Sequence, residues 1–477
     1  MLWLALSFIR LPLEVFAGSE DGPALVSEHQ RVVTSDVAGE AAGLTPGLQL
    51  AAALSLVPGI KVHERQPARE TEALARLACW AGNFTPHVSL APPQGLLLEV
   101  GGCLRLFGNL RMLCQRIREG AAEQGFSLVM AAAPTPRAAQ WLVEGATRET
   151  TAARFCLRAD RLAEMLAPLP LSVLGLDAAQ MRTLAALGVR SLGELFVLPT
   201  AGLARRFGPV LPLQLAQARG EVPDLRQEFP FPEQFAQRLE LPAKVDHAAM
   251  LFFAARRLLA SLAGWLSVRA AGVAECMFQL EHDDGEPSAL TLAFAGPTRE
   301  LERMERVLRE RLDRLALREP VVELRLVADA PLALAGSTLG LFAQSSAQAL
   351  APVVERLRAR LGKAAVHGLQ VVADHRPERA TTAVPQGIDT REPIAAQRPL
   401  WLLRRPLALP EVNGAPNHQG PLRRLTRAEI VESGWWDSEE AELGDVRREY
   451  CIALSTREEW LWIFRDDAGW WLHGVFA

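Results

Sequence analysis

Residues 1–165 alternate short apolar runs with amphipathic stretches, and this alternation constrains the fold more than any other feature of the chain. The runs at 2–8, 31–34, 61–64, 88–90, 96–100 and 127–131 read as strands, and the stretches at 69–80, 105–119 and 136–143 carry helical spacing. A segment patterned this way folds as a sheet layered with helices, an α/β or α+β domain, rather than a helical bundle or a solenoid. Residues 166–235 are helical and broken by Pro and Gly, and 229–232 reads as a linker. The alternation then resumes, with a long helix at 248–263, strands at 272–281 and 289–294, a helix at 298–317 and a strand at 321–327. Leu301, Met304, Val307, Leu308, Leu312 and Leu315 fall on one face of the 298–317 helix.

At 477 residues the chain is too long for one core and is expected to be α+β and multidomain. Hydrophobic residues make up 49% and charged ones 22%, which excludes a disordered chain. The net charge of −4 neither demands nor excludes nucleic acid, because binding depends on local patches. None of the six cysteines has CxxC spacing, so no zinc site or disulfide framework is signalled and a reducing cytoplasm fits. The apolar start, Met1 to Arg10, lacks a basic leader and reads as a buried first strand. No run reaches about 18 apolar residues, so no membrane span is expected. Seven of the eleven tryptophans lie beyond residue 400, where strands at 450–454, 459–465 and 469–475 suggest a small Trp-rich β-unit.

Four stretches resemble the Y-family translesion DNA polymerases. Ala5-Leu6-Ser7-Phe8-Ile9-Arg10-Leu11-Pro12-Leu13-Glu14 is similar to that family's first strand and turn, with Ala5 where a catalytic Asp stands and Arg10 where an aromatic sugar gate stands. The run Val32 to Leu44 resembles the fingers segment, with Val37 and Glu40 in place of the Tyr and Arg that touch the triphosphate. Ser89-Leu90-Ala91-Pro92 stands where the family has Ser-Leu-Asp-Glu, followed by Leu96-Leu97-Leu98-Glu99 and Arg105-Leu106-Phe107-Gly108. Ala133 to Gln140 resembles a further family segment, with Gln140 close to where the family usually has a phosphate-binding Lys. Two-metal nucleotidyl transfer needs carboxylates that hold cations ~3.5–4 Å apart, and neither Ala nor Pro can ligate Mg²⁺. The resemblance therefore implies a polymerase shape without metal, cofactor or polymerase activity. It implies a right hand: palm and fingers over 1–165 (fingers about 11–75), a helix-hairpin-helix thumb over 166–235 and a little-finger-like domain over 236–330. A linker over 331–400 and a C-terminal region over 401–477 complete it.

Within that family the match is to the ImuB type, on Asp374-His375-Arg376-Pro377-Glu378, Arg398 to Leu403, Glu432-Ser433-Gly434-Trp435-Trp436 and the terminal Trp471 to Ala477. This implies an adaptor in SOS-induced mutagenesis that binds DNA, the β sliding clamp, an error-prone C-family DNA polymerase and a RecA-like accessory protein. Thr338-Leu339-Gly340-Leu341-Phe342 resembles a clamp-binding peptide with Thr for Gln; Gln397, Leu400 and Leu402 form a second candidate, and the alternative for either is a strand packing onto a core. Trp435 and Trp436 are candidate partner anchors, or members of an aromatic core.

Gly175 and Gly202, in hairpin turns, and Arg205 and Arg206 beside them are candidate DNA contacts; the alternative is ordinary turns with solvated arginines. Arg325 and Arg269 are further candidates. The interleaved charges of 298–317 indicate a salt-bridged solvent face. Glu281-His282-Asp283-Asp284 reads as a hairpin turn rather than a metal site. No nucleotide-binding, zinc-protease or serine-hydrolase motif is present. Two other readings stay open: an active polymerase with a metal site moved to Glu14, Glu40 and Glu99, and an unrelated DNA-binding scaffold.

Overall fold

The computed structural model describes residues 1–16, 22–145, 154–283, 286–328, 330–334, 353–354, 356–358, 360–362, 365–372, 374–384, 398–399, 401–433 and 446–476. The chain divides into two compact units, Met1–Arg360 and Leu361–Ala477.

The first unit opens with β1 (Trp3–Ser7), the middle strand of a five-stranded sheet. After β1 come α1 (Leu11–Glu14), β2 (Ala24–Glu28), β3 (Arg31–Ser35), α2 (Val37–Ala41), α3 (Leu50–Leu56), β4 (Lys61–Glu64) and α4 (Pro67–Ala81). β5 (Val88–Ala91), β6 (Gly95–Glu99), α5 (Leu110–Glu123), β7 (Val129–Ala133), α6 (Pro136–Glu144) and β8 (Arg154–Phe155) follow. The main sheet runs β5-β6-β1-β7-β8, and a smaller one runs β3-β2-β4.

Strand period sorts β1 to the two faces of the main sheet. Leu4 and Leu6 join Leu96, Leu98 and Val88 beneath α4 and α5, while Ala5 joins Leu97, Ala131 and Ala133 beneath α6. The smaller sheet has its own core of Leu25, Val32, Leu44, Ala53 and Ile60. Thr135 caps α6 by accepting from the Ala138 N–H at 3.2 Å, with Pro136 in the first turn. Helix α5 begins at Leu110, five residues later than expected. Gly108 takes a left-handed φ of 85°, and the Asn109 side chain accepts from the Met112 N–H at 2.9 Å, so the chain turns before it can coil.

Helices α7 (Leu162–Leu166), α8 (Ala178–Ala186), α9 (Leu192–Phe196), α10 (Thr200–Phe207) and α11 (Val210–Arg219) extend the core on the Ala5 face through Leu166, Leu184, Leu195, Leu203 and Leu215. A second sheet region contains β9 (Phe235–Val245), α12 (Leu251–Val268), β10 (Ala271–His282), β11 (Ser288–Thr298), α13 (Leu301–Leu312), β12 (Val321–Ala328) and the short β13 (Leu332–Ala333). Its order is β11-β10-β12-β9, and β13 pairs with β10. β9 was not expected. It alternates charged residues with half-buried ones, and its partner strand, β12, lies about 80 residues further along the chain.

Ala248–Val268 is long and apolar enough, by length and composition, to cross a membrane, but in the structure it is a core helix. Leu258, Leu262, Trp265 and Leu266 of α12 are buried under the second sheet, and its other side packs on α4. The two backbones approach closely there: a methyl on Gly264 would come within 2.1 Å of the Cys79 carbonyl oxygen.

The second unit contains a hairpin of β14 (Gly368–Val371) and β15 (Thr381–Val384). It also has a six-stranded sheet built on β16 (Trp401–Leu409), β23 (Gly469–Val475), β22 (Trp460–Asp466), β21 (Val446–Leu454) and β19 (Arg423–Arg424), with β20 (Glu429–Ser433) also paired to β21. A small ladder, β17 (Glu411–Val412) with β18 (Ala415–Pro416), lies beside it in sequence.

Candidate functional site

The register of the main sheet sets Ser7, Gly95 and Ala91 in one row, and Ala5, Leu97 and Ser89 in the next. Ala5 and Ala91 therefore share a face but sit on strands separated by β6, not on neighbouring strands. Ala5 is 1% exposed and lies in an apolar cluster with Leu97, Ala131 and Trp141. Ala91 is half-buried, and Pro92 is exposed in the turn before β6. The row is tightly closed at Gly95, where a Cβ would meet the Ala91 carbonyl oxygen at 2.9 Å.

The carboxylates of the alternative metal site do not converge. Glu99 Oε1 accepts from the N–H groups of Leu2 and Gly101, each at 3.1 Å. Glu14 accepts from the Ser127 N–H at 3.1 Å and its hydroxyl at 2.5 Å; burial raises its pKa, against those bonds. Glu99 pairs with Trp3 at one end of β1, whereas Glu14 follows the other end. Four residue steps separate those ends, about 13 Å. Among the described residues no cluster of three or more His, Cys, Asp or Glu side chains could hold a metal ion.

Arg10 and Glu40, two departures from the family pattern, meet each other. The Arg10 guanidinium donates to Glu40 at 2.7 Å, tying α1 to α2. Glu40 is held in place because Asp36 caps α2, accepting from Gly39 N–H at 2.7 Å and from Ala24 N–H at 3.2 Å. Val37, on the same helix, points outward and is 65% exposed. Gln140 donates to Glu144 at 2.9 Å and accepts from Arg226 at 3.2 Å. Arg226, which the sequence did not single out, enters from 86 residues away and is also paired with Asp224 at 2.8 Å.

In the helical segment the glycine N–H groups are engaged internally. Gly175 N–H donates to the Ser172 carbonyl at 3.3 Å and Gly202 N–H to the Pro199 carbonyl at 2.9 Å. Gly175 is left-handed at φ 63°, whereas Gly202 lies inside α10. The glycine that turns α8 into α9 is Gly188, at φ 79°. The first N–H groups of α9 are bonded to the carbonyls of Leu169 and Ala167. The cationic feature left open is a set of exposed arginines: Arg205 and Arg206 on α10, with Arg206 and Arg182 of α8 lining one shallow depression.

The second sheet is less cationic on its open face than expected. Glu281, Glu323 and Glu240 stand opposite one another on β10, β12 and β9, and the next row is Gln279, Arg325 and Arg238. Burial and then the neighbouring carboxylates raise the pKa of Glu323, against the pull of Arg238. Arg269 donates to the carbonyls of Phe231 and Pro232 and stacks over Trp265 at 4.2 Å, so it is a structural clamp rather than an open cation. Helix α13 has the expected salt-bridged face: Glu305 pairs with Arg256, and Glu310 with Arg356 and Arg360. Asp283 pairs with Lys244.

Thr338, Leu339, Gly340, Leu341, Phe342, Gln397, Leu400, Trp435 and Trp436 lie outside the described residues. Leu402 packs beside Tyr450 and Trp462, so it is a core residue of β16. The tail signatures converge on one buried network. Glu378 accepts from Arg448 at 2.5 Å, Arg448 donates to the Tyr450 hydroxyl at 3.1 Å, and that hydroxyl lies 2.7 Å from His473 Nδ1. His473 Nε2 is 3.4 Å from Glu378, and Trp462 stacks on Tyr450 at 4.0 Å. Asp374 holds Arg376 at 2.8 Å. Trp462 and Trp470 are core residues, whereas Trp401 and Trp460 are 72% and 52% exposed.

Residues 17–144 match the model of the impB/mucB/samB family. Protein ImuB of Caulobacter vibrioides, in strains NA1000 and CB 15, is 29% identical over 91% of this chain and 100% of its own length. Among solved structures, a Dbh ternary complex (TM-score 0.41) and DinB from Sulfolobus solfataricus (TM-score 0.39) are each 15% identical, over 70% of this chain and 100% of theirs. The chain is thus similar to Protein ImuB over most of its length and carries an impB/mucB/samB-like segment at 17–144.

Proposed function

We propose that this protein is a non-catalytic adaptor of bacterial error-prone translesion synthesis, acting in the cytoplasm at damaged or primer-template DNA. The observation that carries this reading is the face around Ala5 and Ala91, which is finished in methyl groups, backbone and the hydroxyls of Ser7 and Ser89 where polymerase chemistry needs carboxylates. The Arg10–Glu40 pair supports it, since the two side chains that should receive sugar and triphosphate are bonded to each other. In this reading residues 1–165 serve as palm and fingers, 166–235 as thumb and 236–330 as little finger. The segment Thr338 to Phe342 docks on the β sliding clamp. The region 401–477, with Trp435 and Trp436, recruits an error-prone C-family polymerase and a RecA-like accessory protein.

Primer extension tests the core of the proposal. Purified protein with Mg²⁺ or Mn²⁺ is expected to incorporate no nucleotide. Template-dependent extension that is abolished on changing Ala91 would overturn the reading. DNA contact is assigned to the exposed arginines of α8 and α10. Changing Arg182, Arg205 and Arg206 to Ala is expected to weaken binding equally across sequences and to lower the salt slope by about 1 for each phosphate no longer neutralised. An unchanged slope would move the DNA site elsewhere.

A further inference from the structure

Fingers-side residues Phe16 and His63, helix α4, strand β9 and helix α12 enclose a cavity of about 640 Å³. Arg76 of α4 and Arg257 of α12 are among its lining residues. The acidic wall residues are engaged elsewhere: Glu14 with Ser127, Glu72 with Arg238 and Glu240 with Arg69, while Glu323 is drawn to Arg238. Lys244, also on the wall, is paired with Asp283. Among the described residues, the Arg76 and Arg257 side chains make no hydrogen bond or ion pair; their backbone carbonyls accept from the Ser261 and Gln124 side chains. Two guanidiniums thus share one partly buried space with no carboxylate bound to either. Burial lowers both pKa values; at Arg76, brought to about 10, the pull of Glu72 exceeds the push of the nearby Arg257 charge but does not offset burial. Both stay cationic at neutral pH, and like charges held out of water are costly unless an anion joins them.

We propose that this cavity is a phosphate site. It takes the phosphate of a nucleotide on the Arg76 and Arg257 forks, which match phosphate oxygens bidentately. The rim residue Phe253, 75% exposed, provides a planar surface for the base, whereas the Phe16 ring is already taken by His63 at 4.7 Å and Arg69 at 5.6 Å. The phosphate belongs either to a free nucleoside phosphate or to a single-stranded DNA backbone. The inference does not depend on the adaptor reading.

Thermal melts of the full chain at constant ionic strength test it, with pyrophosphate, a deoxynucleoside monophosphate and a dT oligonucleotide as separate ligands. Pyrophosphate is expected to raise Tm relative to chloride. The Arg76→Met/Arg257→Met variant is expected to start at a higher Tm and lose that response. Arg257→Lys keeps the charge but not the fork, and should weaken pyrophosphate binding about tenfold with the fold retained. Tighter saturation by the monophosphate identifies a free nucleotide as ligand, and tighter saturation by the oligonucleotide identifies a strand. No pyrophosphate response in the wild type, or the same affinity in both variants, overturns the proposal.

Discussion

Ala5 shows how one residue type decides what a strand position can do. Its methyl group lies among Leu97, Ala131 and Trp141, and the polar side chains on the same face beside it are the uncharged hydroxyls of Ser7 and Ser89. Ala5→Asp would bury an unpaired carboxylate there. The expected cost is about 3–5 kcal/mol in urea unfolding at neutral pH, smaller in acid where the group is protonated. Wild-type stability for this variant would mean the face is hydrated, and the argument from packing would fail. Arg10 and Glu40 make the complementary point. The pair is partly buried, with side chains 20% and 22% exposed. A double-mutant cycle to Ala should give a coupling of about 1 kcal/mol, and the swap Arg10→Glu/Glu40→Arg should recover most of it. Each residue alone reads in sequence as a missing nucleotide ligand; that the two side chains form one bond is a tertiary fact.

At the scale of elements, the contact of α4 with α12 joins the first sheet region to the second. Asn83 bridges it, donating to the Trp80 carbonyl at 2.8 Å and the Ala260 carbonyl at 2.9 Å. Gly264 permits the approach, since a methyl there would strike the Cys79 carbonyl oxygen at 2.1 Å and backbone cannot yield as a side chain can. Gly264→Ala should cost about 3 kcal/mol, read in denaturant unfolding. Gly202 has open space around its Cβ position and lies within α10, so Gly202→Ala should instead stabilise by about 0.5–1 kcal/mol. Equal effects from the two substitutions would refute the distinction. Sequence offers no means of separating them, because both glycines stand in helical patterns and only the neighbour across the interface differs.

At the scale of the whole molecule, the C-terminal unit has a built-in response to pH. Burial lowers the pKa of His473 to about 4, against the attraction of Glu378. In the unfolded chain it titrates near 6.5, so below that pH the unfolded state binds more protons than the folded one. The stability contributed by a neutral His473 is full above 6.5 and is lost as pH falls through 4, a loss of up to about 3 kcal/mol. Unfolding of the full chain followed by tryptophan emission should show it, and His473→Phe should flatten that part of the profile. An unchanged profile in the variant would place the titration elsewhere. Much of the architecture was legible in sequence. Strands β1, β5, β6 and β7 of the main sheet, helices α4 and α6, and the helical character of 166–219 follow from apolar spacing, because one-sided burial imprints its period on the chain. The strands missed include β2, β8, β9, β14, β15, β16 and β20; β9 shows why, since its outward charges and its Pro242 mask the period of an edge strand. The absence of carboxylates at Ala5, Ala91 and Pro92 is a property of composition at known positions, so the sequence alone determined it. Which groups stand together was decided only by the tertiary structure: Arg10 with Glu40, Arg76 with Arg257, and Glu378 with Arg448, Tyr450 and His473. Electrostatic and hydrogen-bonded contacts act over a few ångströms between residues tens to hundreds of positions apart, and they leave no period in the sequence.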